Sequence, residues 1–222
     1  MIRANKLYSL IFLFFILTTY SFNEQKKSVS IIFPIKEIII ENTLAVDLIK
    51  LKSDVDFLKN TSLFFLKKKK VVDIANQHEF ISGIQLKKIY PNTIKILVFE
   101  KIPIATEIIE KKKYYITKDD EKVNYIKIKT YEDLPVIFGH HKNFSFFFKD
   151  LEKSNFKIKE IKAFYYFDIG RWDIVLKNEK TIKLPETNYQ NILLKVNSIL
   201  DDVNFSKYKI FDYRIKDQLI LQ

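Results

Sequence analysis

The sequence predicts an α+β fold in which an apolar N-terminal helix precedes a small mixed module and a larger β-rich region. A charge-free apolar run extends from Leu7 to Asn23, helical and strand periodicities follow it as far as Lys101, and strand-like segments dominate from Thr106 onward. Hydrophobic residues make up 47% of the 222 residues, which is enough to bury a core. We therefore expect most of the chain to be folded.

The formal net charge of +11 would suit nucleic acid or an anionic membrane surface. The excess is almost all lysine, because only Arg3, Arg171 and Arg214 are arginines. Lysines scattered along strands do not form a surface that follows a phosphate backbone. We therefore expect a solvated basic surface and no nucleic-acid partner. The absence of cysteine excludes disulfides and thiolate sites.

Arg3 and Lys6 precede the apolar run, which as a helix would be about 25 Å long and could cross a thinned bilayer. A cleaved signal peptide would need small residues after the run, where Tyr20 and Phe22 stand instead. A buried core helix would need a polar face. We therefore predict an uncleaved transmembrane helix at residues 7–23, a cytoplasmic tail at residues 1–6 and export of the remainder.

After a linker at residues 24–33, residues 34–104 are predicted to form a compact module that begins with a strand and two helices. The β-branched segment Ile35–Ile40 predicts the strand. Val46–Leu58 has apolar residues at helical spacing, and Asp54 could cap a new turn within it. A second helix is predicted within residues 62–80, with Lys67–Lys70 in its first turn. We interpret these lysines as a solvated surface, with contact to lipid headgroups as the alternative.

Two alternating segments, Ile81–Tyr90 and Thr93–Lys101, predict the last two strands of the module. Proline fixes its own backbone angle and asparagine tolerates turn conformations, so Pro91–Thr93 is predicted to be a tight turn. The order strand, helix, helix, strand, strand indicates two helices on one face of a sheet.

Residues 105–222 are predicted to form a second, β-rich domain with a mostly antiparallel sheet and helices on one face. Two segments keep helical spacing, Phe144–Ser154 and Asn188–Asp202. The other apolar segments have strand character, and they begin at Lys113, Lys122, Glu160, Arg171, Lys180 and Lys209. The last of them predicts a single closing strand at Lys209–Leu221.

No pattern in the chain indicates catalysis. His140 and His141 are adjacent, so on a strand they would point to opposite faces, and His78 has no companion at ligand spacing. We interpret all three as surface loop histidines. Asp119 and Asp120 suggest an acidic turn, and no glycine-rich phosphate loop is present. We therefore predict no catalytic residues, cofactor, metal or small-molecule substrate, and no enzymatic activity.

Five motifs follow one another along the chain. The first is "KKIYPNTIKILVFEKIPIA", and the others are "LPVIFG" from Leu134, "RWDIVL" from Arg171, "KLPE" from Lys183 and "FDYRIKDQLIL" from Phe211. In this order they resemble the motifs of the FtsQ/DivIB family of bacterial cell-division proteins. Ten positions of the first motif match the family: Tyr90, Pro91, Thr93, Ile94, Ile96, Val98, Glu100, Lys101, Pro103 and Ala105.

The resemblance implies a non-enzymatic scaffold of the divisome, the assembly that builds the division septum. It would be a single-pass inner-membrane protein with a cytoplasmic N-terminus and a periplasmic folded region, linking early and late division proteins. The resemblance also implies that residues 34–104 are a polypeptide-transport-associated (POTRA) domain that takes part in septal recruitment, in which Tyr90, Pro91, Thr93, Glu100 and Pro103 are structural. Residues 105–222 would be the FtsQ-type β domain, which binds FtsB and FtsL.

A closing strand at a sheet edge could pair with a strand of a partner through its free backbone groups. We therefore predict a partner-binding site at Tyr213, Arg214 and Ile215, with Arg171 and Trp172 on a neighbouring strand. For Trp172 the alternative is an ordinary core position.

Two alternatives from other classes are considered, and the first of them remains open at this point. A secreted or anchored POTRA-type envelope protein that binds other envelope components would share most of these features. An outer-membrane insertase also carries such modules, but the chain has no room for the long series of strands of its barrel.

Overall fold

In the computed structural model of this protein, residues 2–18 and 31–222 are described, and they form a mixed α+β structure with five α-helices. The helices are α1 (Ile2–Thr18), α2 (Leu48–Val55), α3 (Lys68–Ala75), α4 (Phe144–Lys153) and α5 (Tyr189–Asp201). The strands are β1 (Glu37–Glu41), β2 (Ile81–Ile89), β3 (Thr93–Glu100), β4 (Pro103–Ile109), β5 (Lys112–Thr117), β6 (Lys122–Asn124), β7 (Val136–Phe138), β8 (Ile161–Phe167), β9 (Arg171–Leu176), β10 (Thr181–Lys183), β11 (Ile210–Asp212) and β12 (Ile220–Leu221).

Helix α1 covers the first part of the predicted apolar segment. Its side chains from Tyr8 to Thr18 are exposed, so this part of the chain is not a buried core helix. Among the described residues, no helix combines the length and the apolar character needed to cross a membrane. The predicted membrane segment 7–23 and linker 24–33 fall partly on residues 19–30, which lie outside the described residues.

The small sheet has the order β1-β3-β2, with β3 parallel to β1 and antiparallel to β2. The predicted succession of strand, helix, helix, strand and strand is confirmed by β1, α2, α3, β2 and β3. Asp47, not Asp54, caps α2, because its carboxylate accepts hydrogen bonds from the amides of Ile49 and Lys50 at 3.0 Å. The proposed cap at Asp54 is wrong, since that carboxylate lies 3.0 Å from the ring of His78 instead.

The large sheet contains nine strands in the order β12-β11-β10-β9-β8-β7-β4-β5-β6. The sheet is mostly antiparallel, as predicted, but three pairs, β4–β7, β7–β8 and β10–β11, are parallel. Two of these pairs follow from helical crossovers, because α4 connects β7 to β8 and α5 connects β10 to β11. The sheet is therefore mixed, although most of its pairs are antiparallel.

Helices α4 and α5 bury their apolar sides in one core on the same side of the large sheet, as predicted. Phe147 and Leu151 of α4 and Leu193 and Val196 of α5 share this core with the sheet residue Phe164. Asp150 of α4 also accepts hydrogen bonds from two side chains of α5, Tyr189 and Gln190. On the opposite face, which we call the uncovered face because α4 and α5 do not lie on it, Tyr165 and Phe167 of β8 are 40% and 39% exposed.

The predicted single closing strand at Lys209–Leu221 is wrong. The chain instead forms the short antiparallel hairpin β11–β12, and residues 213–219 connect its two strands. Within the connection Gln218 donates its amide to the carbonyl of Ile215 at 3.2 Å, and Asp217 adopts a left-handed conformation with φ 58°. These turns interrupt the extended backbone that the apolar alternation predicted.

The two sheets share an apolar interface. Tyr115 of β5 and Val123 of β6 are fully buried in the core of the small module rather than in the core beneath α4 and α5. The phenol of Tyr115 donates to the carbonyl of Ile126 at 2.7 Å, and its ring lies 6.0 Å from that of Phe80. Glu79 accepts two hydrogen bonds from Asn124 across the same interface.

Candidate partner-binding surface

Strand β12 is the outermost strand of the large sheet on the side of its C-terminal hairpin. Gln222 exchanges both backbone hydrogen bonds with Ile210, at 3.0 and 3.1 Å. Because bonded and non-bonded pairs alternate in antiparallel strands, the N–H and C=O groups of Leu221 point away from β11. The sheet therefore ends in backbone groups that face outward at Leu221.

A groove of about 870 Å³ lies beside this edge, between α5 and the β11–β12 connection. Ile192 and Lys195 of α5 line one wall, and residues 213–219 line the other. Ile215 is half exposed at the groove, and Leu194 of α5 is 63% exposed. The edge strand is thus accompanied by a concave surface of mixed apolar and basic character.

Arg214 is held in place by Asp212 at the end of β11. Its Nε atom donates to both carboxylate oxygens of Asp212, at 2.9 and 3.0 Å, and Nη2 donates to Oδ2. These hydrogen bonds lower the pKa of Asp212 and raise that of Arg214. The Asp212 side chain is buried and the Arg214 side chain is 44% exposed, so an oriented cation is presented to solvent.

A row of charged side chains crosses the uncovered face of the sheet from β9 to β11. Register pairs Asp173 with Lys183 and Lys183 with Asp212, while Arg171 lies two residues before Asp173 on the same face of β9. Burial raises the pKa of Asp173, against the lowering effect of Arg171. Two predicted residues, Arg171 and Arg214, therefore lie on one face of the sheet.

Asp173 and Lys183 are members of this row that we did not predict. Asp173 lies within the motif "RWDIVL", and Lys183 begins the motif "KLPE". Because successive side chains on a strand point to opposite faces, the sequence alone would have placed both on the uncovered face. The register between β9, β10 and β11 was the missing information, because no local pattern in the sequence specifies it.

Trp172 is a core residue and is only 5% exposed. Its ring stacks on Phe147 at 4.8 Å with an interplanar angle of 10°, and it contacts Phe144, Phe164 and Tyr166. Its neighbour Arg171 points the other way, where the guanidinium lies 4.0 Å from the ring of Phe167. This position favours the core interpretation of Trp172 over the partner-contact interpretation.

Tyr213 lies between the core and the groove. Its backbone amide donates to Lys183 at 2.9 Å, its ring packs against the core, and its buried hydroxyl has no hydrogen-bond partner among the described residues. Burial raises the pKa of Tyr213 to about 12, so the phenol is neutral at physiological pH. The hydroxyl is itself buried, so it is not exposed to the groove in this structure.

Glu100 of the first motif fastens the chain before α2 to the end of β3. Its carboxylate accepts hydrogen bonds from three consecutive backbone amides, those of Leu44, Ala45 and Val46, at 2.8 to 3.0 Å. A carboxylate is suited to this position because it can accept several hydrogen bonds at once.

The other first-motif residues lie at the two ends of the small module. Tyr90 and Pro91 form the turn between β2 and β3, and Thr93 is buried with its hydroxyl 3.1 Å from Glu37. Pro103 begins β4, the first strand of the large sheet. None of these side chains adjoins the hairpin edge.

The histidines lie apart from the partner-binding surface. The interpretation as surface loop residues is wrong for His78, which is buried beside Asp54, and for His141, whose side chain is 8% exposed and 3.6 Å from Glu107. Burial lowers the pKa of His141. Within the described ranges, no group of three or more acidic or histidine side chains could hold a metal ion.

No family model matches the chain, but several curated proteins do. The FtsQ cell division proteins of Rickettsia typhi and Rickettsia prowazekii are each 24% identical over 194 residues, which cover 86% of this chain and 73% and 72% of those relatives. FtsQ of Blochmanniella floridana is 29% identical over 154 residues, covering 62% of this chain and 54% of the relative. The chain is therefore similar over most of its length to FtsQ cell division proteins, and the motifs that resemble this family lie in order along the small and large sheets.

Proposed function

We propose that this chain is a non-enzymatic scaffold of the divisome that binds FtsB and FtsL through its large sheet. The free edge of β12 carries this proposal, because outward-facing backbone groups at Leu221 can add a partner strand. The groove beside α5 and the exposed cation of Arg214 would supply side-chain specificity to the pairing. Arg171 contributes through the charged row, while Trp172 supports the surface from the core.

We further propose that residues 34–104 are a POTRA domain and residues 105–222 the FtsQ-type β domain. The order of elements and the parallel pairing of β1 with β3 support this division. The last strand of the small sheet ends at Glu100 and the first strand of the large sheet begins at Pro103, within a few residues of the proposed boundary. In this proposal the POTRA domain serves septal recruitment, and the shared interface around Tyr115 holds it against the β domain.

The proposed location is the inner membrane at the division septum, with residues 1–6 in the cytoplasm, residues 7–23 in the bilayer and the folded region in the periplasm. Two features support this topology. The apolar side chains of α1 are exposed, and Arg3 lies before them in the sequence. Mass spectrometry of the mature protein tests it, because cleavage after the apolar segment would leave a chain without an anchor.

The strand-pairing proposal is tested by removing one backbone donor. Leu221→Pro deletes the outward N–H, whereas Leu221→Ala keeps that N–H and removes only side-chain packing. We expect the proline variant to lose capture of FtsB in a pull-down, and the alanine variant to retain it. Equal capture by both variants would rule out pairing at this edge.

Arg214→Glu tests the contribution of the oriented cation in the same pull-down. The substitution places a carboxylate beside Asp212, so we expect weaker capture of FtsB and a smaller effect of salt on the remaining binding. Lys207→Glu is a matched charge reversal on the chain before β11, away from the charged row, and should leave capture intact. Undiminished capture by Arg214→Glu would count against this part of the surface.

Depletion in the native host tests the role as a whole. We expect filamentous cells on depletion and a midcell band of a fluorescent fusion. A protein that forms no band and whose loss causes no filamentation is not a divisome scaffold.

A further inference from the structure

An aromatic and lysine-rich surface covers the end of the small sheet where β1 begins and β2 ends. We call it the aromatic–lysine surface and define it by Phe33, Phe57, Phe64, Phe65, Tyr90, Lys67, Lys68, Lys69, Lys70 and Lys88. All ten side chains are exposed, including Phe65 at 69% and Phe64 at 58%. Exposed aromatic side chains clustered in this way mark an interaction surface.

Contacts within the surface connect its parts. The rings of Phe33 and Tyr90 meet edge to face at 5.1 Å, and those of Phe64 and Phe65 do so at 5.0 Å. Lys88 donates to the carbonyl of Phe64 at 2.9 Å, which joins the lysines of β2 to the loop before α3. A shallow groove of about 330 Å³ is lined by aromatic and basic side chains of this loop and of α3: Phe57, Phe65, Lys67 and Lys70.

Lysines dominate the charge of this surface, although Glu37, Asp56 and Asp73 directly adjoin its segments and Asp56 pairs with Lys59 at 2.6 Å. The three segments that build it, residues 31–36, 57–72 and 84–99, contain nine lysines and no aspartate or glutamate. Lys67–Lys70 form no ion pair with any described residue. Because cations at a helix N-terminus oppose the helix dipole, the lysines in the first turn of α3 do not stabilise that helix.

We propose that the aromatic–lysine surface binds an anionic lipid bilayer. Lysines beside such a membrane are attracted to the lipid phosphates, and neighbouring aromatic side chains enter the boundary between headgroups and acyl chains. The rings of Phe64 and Phe65 are 58% and 69% exposed, so they are accessible to such a boundary. The matching chemistry is that of phosphatidylglycerol or another lipid with a negative headgroup.

The path of the chain favours a membrane as the occupant. Ile31–Phe33, the first residues described after α1, run through the surface itself, where Ile32 accepts a hydrogen bond from Ser62 at 2.7 Å and Phe33 accepts one from Leu63 at 2.8 Å. Residues 19–30 separate them from α1 and can span at most about 43 Å. This step rests on the proposed function, in which α1 is part of the membrane anchor.

The absence of native cysteine allows a single label to report on the surface. In the full chain, Phe65→Cys would carry an environment-sensitive fluorophore, and Phe146→Cys, at a similarly exposed position on α4, would be the matched control. Vesicles of phosphatidylcholine alone are compared with vesicles of phosphatidylcholine and phosphatidylglycerol in equal amounts. We expect the label at 65 to shift to the blue and to become several-fold less accessible to acrylamide on the anionic vesicles only.

A lysine variant separates lipid contact from folding. Lys68→Glu combined with Lys69→Glu improves the interaction with the α3 dipole, so stability should be kept or raised while the shift of the label at 65 is lost. Lys142→Glu combined with Lys149→Glu makes the same change in charge on the other module and should keep the shift. A shift that survives the first double variant overturns the proposal.

Three further outcomes would also overturn it. A label at 65 that stays accessible on anionic vesicles shows that no contact is made, and equal shielding on both vesicle types shows that lipid charge has no role. A blue shift that grows with protein concentration in the absence of vesicles would instead indicate a second copy of the chain. The label at 146 is expected to stay accessible throughout.

Flotation with phosphatidylcholine vesicles tests the anchor separately. A chain that floats with them while its label at 65 stays accessible on anionic vesicles keeps the anchor and refutes the lipid-binding surface. A chain that floats only with anionic vesicles, with the label at 65 shielded, supports the surface and refutes the anchor.

Discussion

Glu100 in the small module and Asp173 in the large sheet are both strand carboxylates, but their surroundings differ. Glu100 accepts hydrogen bonds from three backbone amides. Asp173 lies 3.3 Å from Arg171 without forming a hydrogen bond to it, and its Oδ1 atom has no hydrogen-bond partner. One carboxylate closes a loop, whereas the other is buried in an incompletely satisfied charged row.

The same contrast holds for the two modules as a whole. Within the described residues, the buried side-chain polar atoms without hydrogen bonds all lie in the second module, on Glu107, His141, Arg171, Asp173, Asn197 and Tyr213. Three of these atoms lie close to an opposite charge, because Glu107 Oε2 is 2.9 Å from Lys122 Nζ and Arg171 Nε is 3.3 Å from Asp173 Oδ1. The Tyr213 hydroxyl has no such neighbour, and an unpaired buried group of this kind costs about 1–3 kcal/mol. Three of these residues, Arg171, Asp173 and Tyr213, adjoin the proposed partner-binding surface. The incompletely satisfied polar atoms therefore lie in the same module as the proposed partner-binding surface.

The largest effect on stability is expected for Trp172→Ala. Removing a fully packed tryptophan leaves a cavity beside Phe147, which should lower the free energy of unfolding by about 4 kcal/mol. Phe146→Ala, at an exposed aromatic on the same helix as Phe147, should change it by less than about 0.5 kcal/mol. Urea unfolding of the full chain measures both, and similar losses would contradict the core assignment of Trp172.

Glu100→Ala should lower the free energy of unfolding by about 3 kcal/mol, because three amides lose a charged acceptor. Glu100→Gln should have a smaller effect, since its amide oxygen can still accept. Glu132→Ala removes a carboxylate whose nearest lysine, Lys127, is 3.6 Å away and exposed, and should cost about 0.5 kcal/mol or less. Equal effects of Glu100→Ala and Glu132→Ala in urea unfolding would contradict the claim that the hydrogen bonds of Glu100 to the backbone stabilise the fold more than an exposed ion pair does.

Tyr213→Phe should leave stability unchanged or raise it by up to about 1 kcal/mol, because the deleted hydroxyl has no partner. Tyr189→Phe is the matched control, since its hydroxyl lies 3.1 Å from Asp150, and it should lose about 1 kcal/mol. Thermal unfolding of the two variants compares them directly. A clear loss for Tyr213→Phe would mean that its hydroxyl is already satisfied in the folded chain.

The smallest effect concerns pH. The folded pKa of Asp173 is raised by burial, so stability should rise as the pH falls through that value, because the folded chain takes up the proton first. The folded pKa of Asp212 is lowered by Arg214, so its contribution is present above the usual pKa of about 4 and is lost as the pH falls from there through the folded pKa.

The difference in stability between each variant and the unsubstituted chain separates the contribution of Asp173 or Asp212 from that of the other acids. Asp173→Asn should remove the rise, and Asp212→Asn should remove the loss, in urea midpoints measured at a series of pH values. Changes of the opposite sign would contradict the assigned environments.

The sequence predicted the small module in most of its detail. Its two strands and tight turn from Ile81 to Lys101 are local features, because alternating apolar and polar residues and the residues of the turn specify them within a short segment. The same is true of α4 and α5, whose apolar spacing predicted helices close to their observed bounds. The cap at Asp47 was missed, because only Asp54 was considered as a capping residue in this segment.

For the candidate surface, the sequence identified Arg171 and Arg214 but not the row that joins them. Alternation along a strand tells which residues share a face, but it does not tell which strands are neighbours or how they are aligned. Asp173 and Lys183 enter the row only through the register of β9, β10 and β11.

By itself, the sequence determined the local elements, the family motifs and the two-part organisation of the folded region, since short-range periodicity specifies these features. The tertiary structure decided that the last strand divides into β11 and β12, that Trp172 lies in the core, and that Tyr115 joins the two sheets. Each of these outcomes depends on contacts between distant segments, where packing and register override local propensity.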